Sequence, residues 1–513
     1  MKKLLSLLAA VGVVFALSSC GDDDDGATPV GALSLTGIPA AATIKQGDDL
    51  VVTGVTVLAE DGIQSFTVTV DGGTPTDLTG LVTAGGTSSE TIDITFSTTG
   101  LSLGLRTLVF TLTDTQGDEV TVQHGLTVNA FATVEIATNI TENTTWAAGN
   151  IYILTSRIVV EPGATLTIGE GSIIKGEFGD GANATALIVA RGAQIDAQGT
   201  AAAPIIFTSV VDEIEPGEID SPNLNETDNG LWGGVIILGA APISDESNSG
   251  TENIEGIPGG ETFAVYGGTE PNDNSGTLRY VSIRHGGTRL GDGDEINGLT
   301  LGGVGAGTTI EFVEVVGNLD DGIEWFGGTV DVTNALVWAA DDDAVDVDQA
   351  YSGTIDNVIV IAFSGTDHGL EIDGPEGTAT GSFTLTNVSI KGADDEIANF
   401  RDGATGSLSG AYFFNFVAPS FDTNGEEPDG TGEGDFRFSD DNTDVAYTNG
   451  DLTFANLQIT LDPAATIAEV FADFTQADQD AVADVAAGAQ TEGADPSAFT
   501  WTFASQRGEL DDF

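Results

Sequence analysis

Asn334-Ala335-Leu336-Val337-Trp338 and Asn357-Val358-Ile359-Val360-Ile361 decide the fold. Each opens on Asn and then alternates side chains for the two faces of a strand. Tyr280-Val281-Ser282-Ile283-Arg284 and Phe312-Val313-Glu314-Val315-Val316 precede them in the same phase, and Asn387-Val388-Ser389-Ile390-Lys391 follows. The valine-like positions 313, 335, 358, 388 and 411 are 22, 23, 30 and 23 residues apart. A repeat of that length is one supersecondary unit that cannot bury its apolar side alone, so the units must stack. Apolar residues two apart, such as Val313 and Val315, point to one side of a strand and into a shared core. The period therefore predicts one coil of a right-handed, single-stranded parallel β-helix per repeat. Asn334, Asn357 and Asn387 share one phase. Asn tolerates the left-handed conformation of a tight corner, and stacked Asn side chains can hydrogen-bond one another.

Upstream the repeat is fainter. Val160-Glu161-Pro162-Gly163-Ala164-Thr165-Leu166-Thr167-Ile168 recurs as Val189-Ala190-Arg191-Gly192-Ala193-Gln194-Ile195-Asp196-Ala197, and an apolar strand at 234–238 follows Trp232-Gly233. The β-helix is expected over 131–462. Residues 31–130 carry short alternating strands between turns, for example Phe66-Thr67-Val68-Thr69-Val70 before Asp71-Gly72-Gly73. They resemble an immunoglobulin-like β-sandwich and suit a spacer. Residues 463–513 contain two helix-compatible runs, 464–474 and 475–487, and an aromatic run, Phe499-Thr500-Trp501-Thr502-Phe503, that suits a strand. An open β-helix end would template aggregation, so this partly helical tail is expected to cap it. The fold class is all-β.

The first residues read as a targeting segment. Lys2 and Lys3 precede an apolar run from Leu4 to Leu17, then Ser18-Ser19-Cys20. The run is too short to span a bilayer. It resembles a bacterial lipoprotein signal over 1–19, which implies that Cys20 is lipidated and anchors the chain in the outer membrane. The tether 20–30 contains Asp22-Asp23-Asp24-Asp25, similar to the surface-export signal of certain Gram-negative lipoproteins. Cys20 is the only cysteine, so no intramolecular disulfide is available. Removing 1–19 takes two of the 14 basic residues, leaving 12 against 80 acidic ones, a net charge of −68. That balance argues against nucleic acid as a partner and against adsorption to anionic membranes. It favours bound divalent cations or a saline medium.

In phase, the repeats align acids. Asp320, Asp342, Asp367 and Asp394 form one column, Asp321, Asp343, His368 and Asp395 a second, and Glu324, Asp346 and Glu371 a third. Coils stack about 4.8 Å apart, and carboxylates at that spacing repel by roughly 1 kcal/mol in water and more in a drier groove. Calcium takes six to eight oxygens, so Ca²⁺ is the expected ion. Its expected ligands are Asp320, Asp321, Asp342, Asp343, Asp346, Asp367, Asp394 and Asp395, and a face merely solvated is the alternative. No organic cofactor is expected. Asp440-Asp441-Asn442-Thr443-Asp444 offers oxygens at alternate positions as a second cation site, although Val445 stands where an EF-hand loop needs Gly. Trp338 and Ile361 share an outward column with Arg284, Val316 and Lys391. Either a loop such as 415–450 covers this apolar face, or Trp338 is a platform on which a sugar ring stacks.

The region 131–460, with Asp320-Asp321-Gly322-Ile323-Glu324-Trp325-Phe326-Gly327-Gly328 at its centre, resembles the pectate-lyase-like β-helix superfamily. It is more similar still to bacterial surface lipoproteins whose role is not assigned. Asn318-Leu319-Asp320, Asp342-Asp343, His368-Gly369 and Arg401 follow the order of N-x-D, D-D, G-H-G and R-x-K in polygalacturonase-like glycosidases. That resemblance implies catalytic carboxylates at Asp320, Asp342 and Asp343, with His368 and Arg401 beside them. Asp367 and Gly403 depart from its pattern. A lyase would need Ca²⁺ and a base, for which the basic cluster is Arg279, Arg284, His285 and Arg289. The expected function is a non-enzymatic surface protein, structural or binding extracellular polysaccharide or matrix. The alternative is a polysaccharide-degrading hydrolase or calcium-dependent lyase.

Overall fold

A computed structural model describes residues 31–83, 89–255, 257, 260–289, 296–393, 396–419 and 434–513. Cys20, the signal and the tether lie outside these residues, as do Asp394 and Asp395. The chain divides into a unit ending at Ala132 and another from Thr133 to Phe513.

The first unit is an immunoglobulin-like sandwich. Leu33–Thr36, Asp49–Ala59 and Glu90–Ser97 form one sheet. Ala41–Lys45, Glu119–Asn129, Gly104–Asp114, Ile63–Val70 and Thr76–Asp77 form the other. Strict alternation, as in Glu90–Ser97, sends every second residue inward. Val55, Ile94, Phe66, Phe110 and Leu126 meet in its core.

The second unit is the right-handed parallel β-helix. Its first coils have three short strands each, such as Thr165–Ile168, Ile173–Gly176 and Ala186–Val189, one for each face. From Gly276–Arg284 onward two of these faces merge into one long bent strand. The bend is one residue in the left-handed region: Tyr280, Phe312, Asn334, Asn357, Asn387, Gly410 and Asn456 in turn, with φ between +50° and +69°. The Asn phase seen in the sequence is therefore the corner of the coil. Asn357 donates to the Asn334 side chain at 2.5 Å, whereas Asn387 turns to Asp356 at 2.7 Å. At the two earlier corners, Tyr280 and Phe312 stack with ring centroids 4.4 Å apart.

Register follows the repeat. Val281, Val313, Ala335, Val358, Val388 and Ala411 pair in sequence up one sheet. They face the core together with Ile323, Trp325, Val345 and Val347 from the third face. That third face is a nine-stranded parallel sheet that includes Leu299–Gly302, Ile323–Phe326, Val345–Asp348, Glu371–Asp373, Ala398–Arg401 and Phe436–Phe438.

The tail does two jobs, not one. Residues up to 484 close the end: Phe471 and Phe474 pack on Phe436, and Ala483–Asp484 adds a strand beside Gln458 and Ile459. The helix-compatible runs form only the short helices Ile467–Val470 and Gln476–Gln479. Residues 493–507 then run back along the outside of the bent sheet. Gly493 N donates to Gly410 O, Ala494 N to Ser389, Asp495 N to Asn357, and Ala504 N to Glu314. The expected aromatic strand is instead a 3₁₀ turn, Pro496–Phe499, and a helical turn, Phe503–Gln506. Among the described residues this strap covers the apolar column, a place expected for a loop such as 415–450, of which 420–433 lie outside the described residues. Phe499, Phe503 and Ala504 pack on Val316, Leu336, Trp338, Ile359 and Ile361. Beneath Phe503 lies Arg284, fully buried, its guanidinium 4.6 Å from the ring and 3.7 Å from Glu314. Its Nε donates to Ser282 Oγ and its Nη1 to Ile219 O, both at 2.7 Å, while Nη2, the atom nearest Glu314, makes no hydrogen bond among the described residues.

Phe503→Ala removes the ring that seats the strap over Arg284 and Trp338. It is expected to lower stability by about 3–5 kcal/mol and to shift tryptophan emission to the red. Urea unfolding checks it; a loss below about 1 kcal/mol would mean that the strap adds little to the fold.

Candidate functional site

The nine-stranded face carries the acids in three rows. Glu324 pairs with Asp346, Asp346 with Glu371, and Glu371 with Asn399, all on the outward side of strands whose Ile323, Trp325, Val345 and Val347 point into the core. The turn before each strand supplies the second row. Asp343 N donates to Asp321 Oδ1 at 3.0 Å, and His368 N donates to Asp343 Oδ1 at 2.9 Å, so each carboxylate binds the backbone of the next coil. Gly322 lets this turn pass low over the core, because a Cβ there would stand 2.3 Å from Val337 and 2.5 Å from Ala344 O. That close approach explains the glycine inside Asp320-Asp321-Gly322-Ile323-Glu324. The outermost row is Asp320, Asp342 and Asp367, half-buried to exposed.

The inner two rows are dry. Asp321, Glu324, Asp343, Asp346 and Glu371 are all buried. Asp321, Glu324 and Asp346 each present an oxygen within 4.8 Å of the others, as do Asp343, Asp346 and Glu371. At that separation a pair of charges repels by about 3 kcal/mol at an effective dielectric of 20. Burial, then the Asp346 charge, pushes Glu324 well above the usual carboxylate range. Burial, then Asp321, does the same to Asp346. Asp321 rises through burial and Asp343. Asp343 rises through burial in spite of its bond to His368.

Built-in cations serve one end of this strip. His368 Nδ1 lies 2.6 Å from Asp343 Oδ1 and 3.7 Å from Glu371, and its Nε2 lies 3.3 Å from Glu396 and 3.2 Å from the Asn399 amide. Burial alone would lower His368, but hydrogen bonds to Asp343 and Glu396, with their charges, carry it to about 11. Arg401 reaches Glu371 and Asp373, both at 2.6 Å, and Arg437 reaches Glu396 at 3.3 Å. Among the described residues no cationic side chain comes within 4.0 Å of Asp321, Glu324 or Asp346. Asp346 Oδ1 is buried without a hydrogen-bond donor. Asn297 donates to Glu324 and likewise leaves its own buried Oδ1 without one.

A family model for the pectate-lyase-like β-helix domain matches residues 138–504. The chain belongs to that family. One solved structure, a pectate lyase from Pectobacterium carotovorum, aligns with 79% of this chain and 99% of its own at 8% identity. Its TM-score of 0.11 is too low to bear on the site. Comparison with curated proteins gives no match.

Within this family fold the rows differ from the sequence columns in one step. Glu396, not Asp395, stands opposite His368, in keeping with the register of the strands that pairs Glu371 with Asn399. Asp320, Asp321, Asp342, Asp343, Asp346, Asp367 and His368 do gather in one strip, and Arg401 joins it through Glu371. Glu324, Glu371 and Glu396 belong beside them as potential ligands. The first two were legible as a column; Asn297 and Arg437 gave no signal in the sequence. Trp338 is not a stacking platform: it is 4% exposed, with Phe503 packed on it at 5.6 Å. Arg284 and His285 are buried under the same strap. Asp440 caps the helix Asp441–Asn449, accepting from Asn442 N and Thr443 N, so that segment is a helix start and not a cation loop.

Raised pKa values set the sign of the pH dependence. Burial carries Asp373 to about 6 against the pull of Arg401, and His368 sits at about 11. In both cases the folded chain holds a proton that the unfolded chain releases at lower pH. Stability therefore falls as pH rises, through roughly 4–6 for Asp373 and roughly 6.5–11 for His368. In chelator, urea midpoints are expected to decline steadily from acid to alkaline pH. His368→Gln should abolish the alkaline part of that slope; an unchanged slope would show that His368 does not carry the proton.

Proposed function

We propose that this chain is a lipid-anchored protein of the bacterial cell surface that binds extracellular polysaccharide or matrix and does not cleave it. The pectate-lyase-like β-helix family suggests a carbohydrate-related role. One observation carries the choice of binding over catalysis: the groups a hydrolase or lyase would use are committed to one another. His368 is clasped between Asp343 and Glu396, and Arg401 between Glu371 and Asp373. Asp320, Asp321 and Asp342 present oxygens within 4.8 Å. An inverting acid and base need roughly 6.5–9.5 Å to hold a water between them. The row that reaches solvent is the outer one, Asp320, Asp342 and Asp367. Such a row suits acidic sugars bridged by cations, or sugar hydroxyls donating to carboxylates. The anchor rests on the Leu17–Cys20 motif and the Asp22–Asp25 run behind it.

Two experiments test this reading. The full chain incubated with polygalacturonate or alginate is expected to release neither reducing ends nor unsaturated ends. Reducing ends that disappear in Asp342→Asn, with the circular dichroism unchanged, would establish the glycosidase instead. Protease added to intact cells is expected to digest the chain, and Cys20→Ser to release it from the membrane fraction. Full protection in intact cells would remove the surface assignment.

A further inference from the structure

The acidic strip is a ladder with one kind of position repeated on successive coils, yet its coils are not neutralised alike. At the His368 coil the protein supplies its own cation. The ring of His368 stands among carboxylates, its Nδ1 2.6 Å from Asp343 and 3.7 Å from Glu371 and its Nε2 3.3 Å from Glu396 and 3.2 Å from the Asn399 amide nitrogen. One coil earlier Asp321, Glu324 and Asp346 converge with nothing of opposite charge within 4.0 Å among the described residues. The Asp346 side chain is nine-tenths buried and its Oδ1 meets no donor. Asn297, 1% exposed, donates to Glu324 and leaves its own oxygen similarly unmet. Buried oxygens without donors are rare in a folded chain, and Asp346 Oδ1 among three converging carboxylates describes a place built to receive a cation.

We propose that Asp321, Glu324 and Asp346, with Glu324 held by the Asn297 amide N–H, hold one divalent cation, and that His368 fills the equivalent place one coil on. The donors are all oxygen, with no thiolate, and imidazole enters only at the neighbouring coil. That set selects a hard ion, and three carboxylates fit Ca²⁺. The ion is structural: it ties the coil of Ile323–Phe326 to the coil of Val345–Asp348. This inference is independent of whether the outer row binds or cleaves glycan.

The test is calcium stoichiometry on the metal-free full chain in detergent, at neutral pH and one fixed ionic strength, with a melting curve for each sample. Enough NaCl is present to suppress loose binding to the acidic surface. The wild-type chain should bind one tight Ca²⁺ and melt at a higher temperature with it. Asp346→Asn and Glu324→Gln, which keep the side-chain shapes, should each weaken that site by roughly 100-fold or more and lose the thermal shift. Asp441→Asn, which removes an equal charge from an exposed helix turn, should change neither. His368→Ala should bind a second tight ion among Asp343, Glu371 and Glu396. A tight site that survives both carboxamide variants places the ion elsewhere and overturns the assignment, as does a wild-type chain with no tight site and no thermal shift. Tighter binding of Zn²⁺ than of Ca²⁺ would overturn the choice of ion. His368→Ala remaining at one ion would overturn the role given to His368.

Discussion

A parallel coil places each residue over its counterpart in the next coil, about 4.8 Å away, and everything distinctive here follows from that forced stacking. For valine and isoleucine it is an advantage, since one pattern makes a continuous core from Val313 to Ala411. At the corner it stacks Tyr280 on Phe312 and links Asn357 to Asn334. For aspartate it is a burden, because the geometry that aligns valines aligns charges equally well. The chain meets that burden differently on successive coils. Asp321 and Asp343 accept backbone N–H groups from the coil beyond. His368 replaces a carboxylate outright, and Arg401 and Arg437 reach in from the last strands of the same face.

The sequence disclosed whatever the repeat controls. The pairing of Val281, Val313, Ala335, Val358 and Val388 was legible because a strand alternates with period two, and a slip of one residue would turn the core outward. The 30-residue spacing before Val388 did not obscure it, since insertions enter at turns and leave the strands in phase. Turns are where the reading slipped. Asp395 was assigned the place that Glu396 occupies, although the five-residue step from Val316 to Asp321 and from Trp338 to Asp343, repeated from Lys391, ends on Glu396. The aromatic run at 499–503 was misread for a related reason. Alternation of Phe, Trp and Phe suits a strand, but Thr502 caps the turn Phe503–Gln506 instead.

The apolar column of Trp338 and Ile361 shows the limit more sharply. Alternation established that these side chains face outward, and physics requires an outward Trp, Leu and Ile to be covered or to bind something. Which segment covers them is a long-range fact. The strap arrives from residues 499–504, more than 130 positions after Ile361, and no local pattern announces where it docks. The one hint was composition: a tail rich in Phe and Trp has apolar area of its own to bury, more than an end cap requires.

The strap also changes the character of the fold. A solenoid in which each coil touches only its neighbours has a stability that is nearly a sum of neighbour terms, and it can fray coil by coil. Here one segment bonds to Gly410, Ser389, Asn357 and Glu314 in turn, and Arg507 reaches Asp220 at 2.6 Å. Coils distant along the helix axis are thus joined through a single covalent stretch. Opening any one of them must either lift the strap or strain it. At its centre Arg284 and Glu314 are buried together, and displacing Phe503 would leave that pair without the ring packed over the guanidinium. Because the strap lies on the bent sheet and the acidic strip on the nine-stranded face, the two bind the same coils from different sides. A charge defect among the carboxylates is then resisted by contacts that carry no charge in common with it. That arrangement gives a chain with no disulfide a means of keeping a dry column of acids folded.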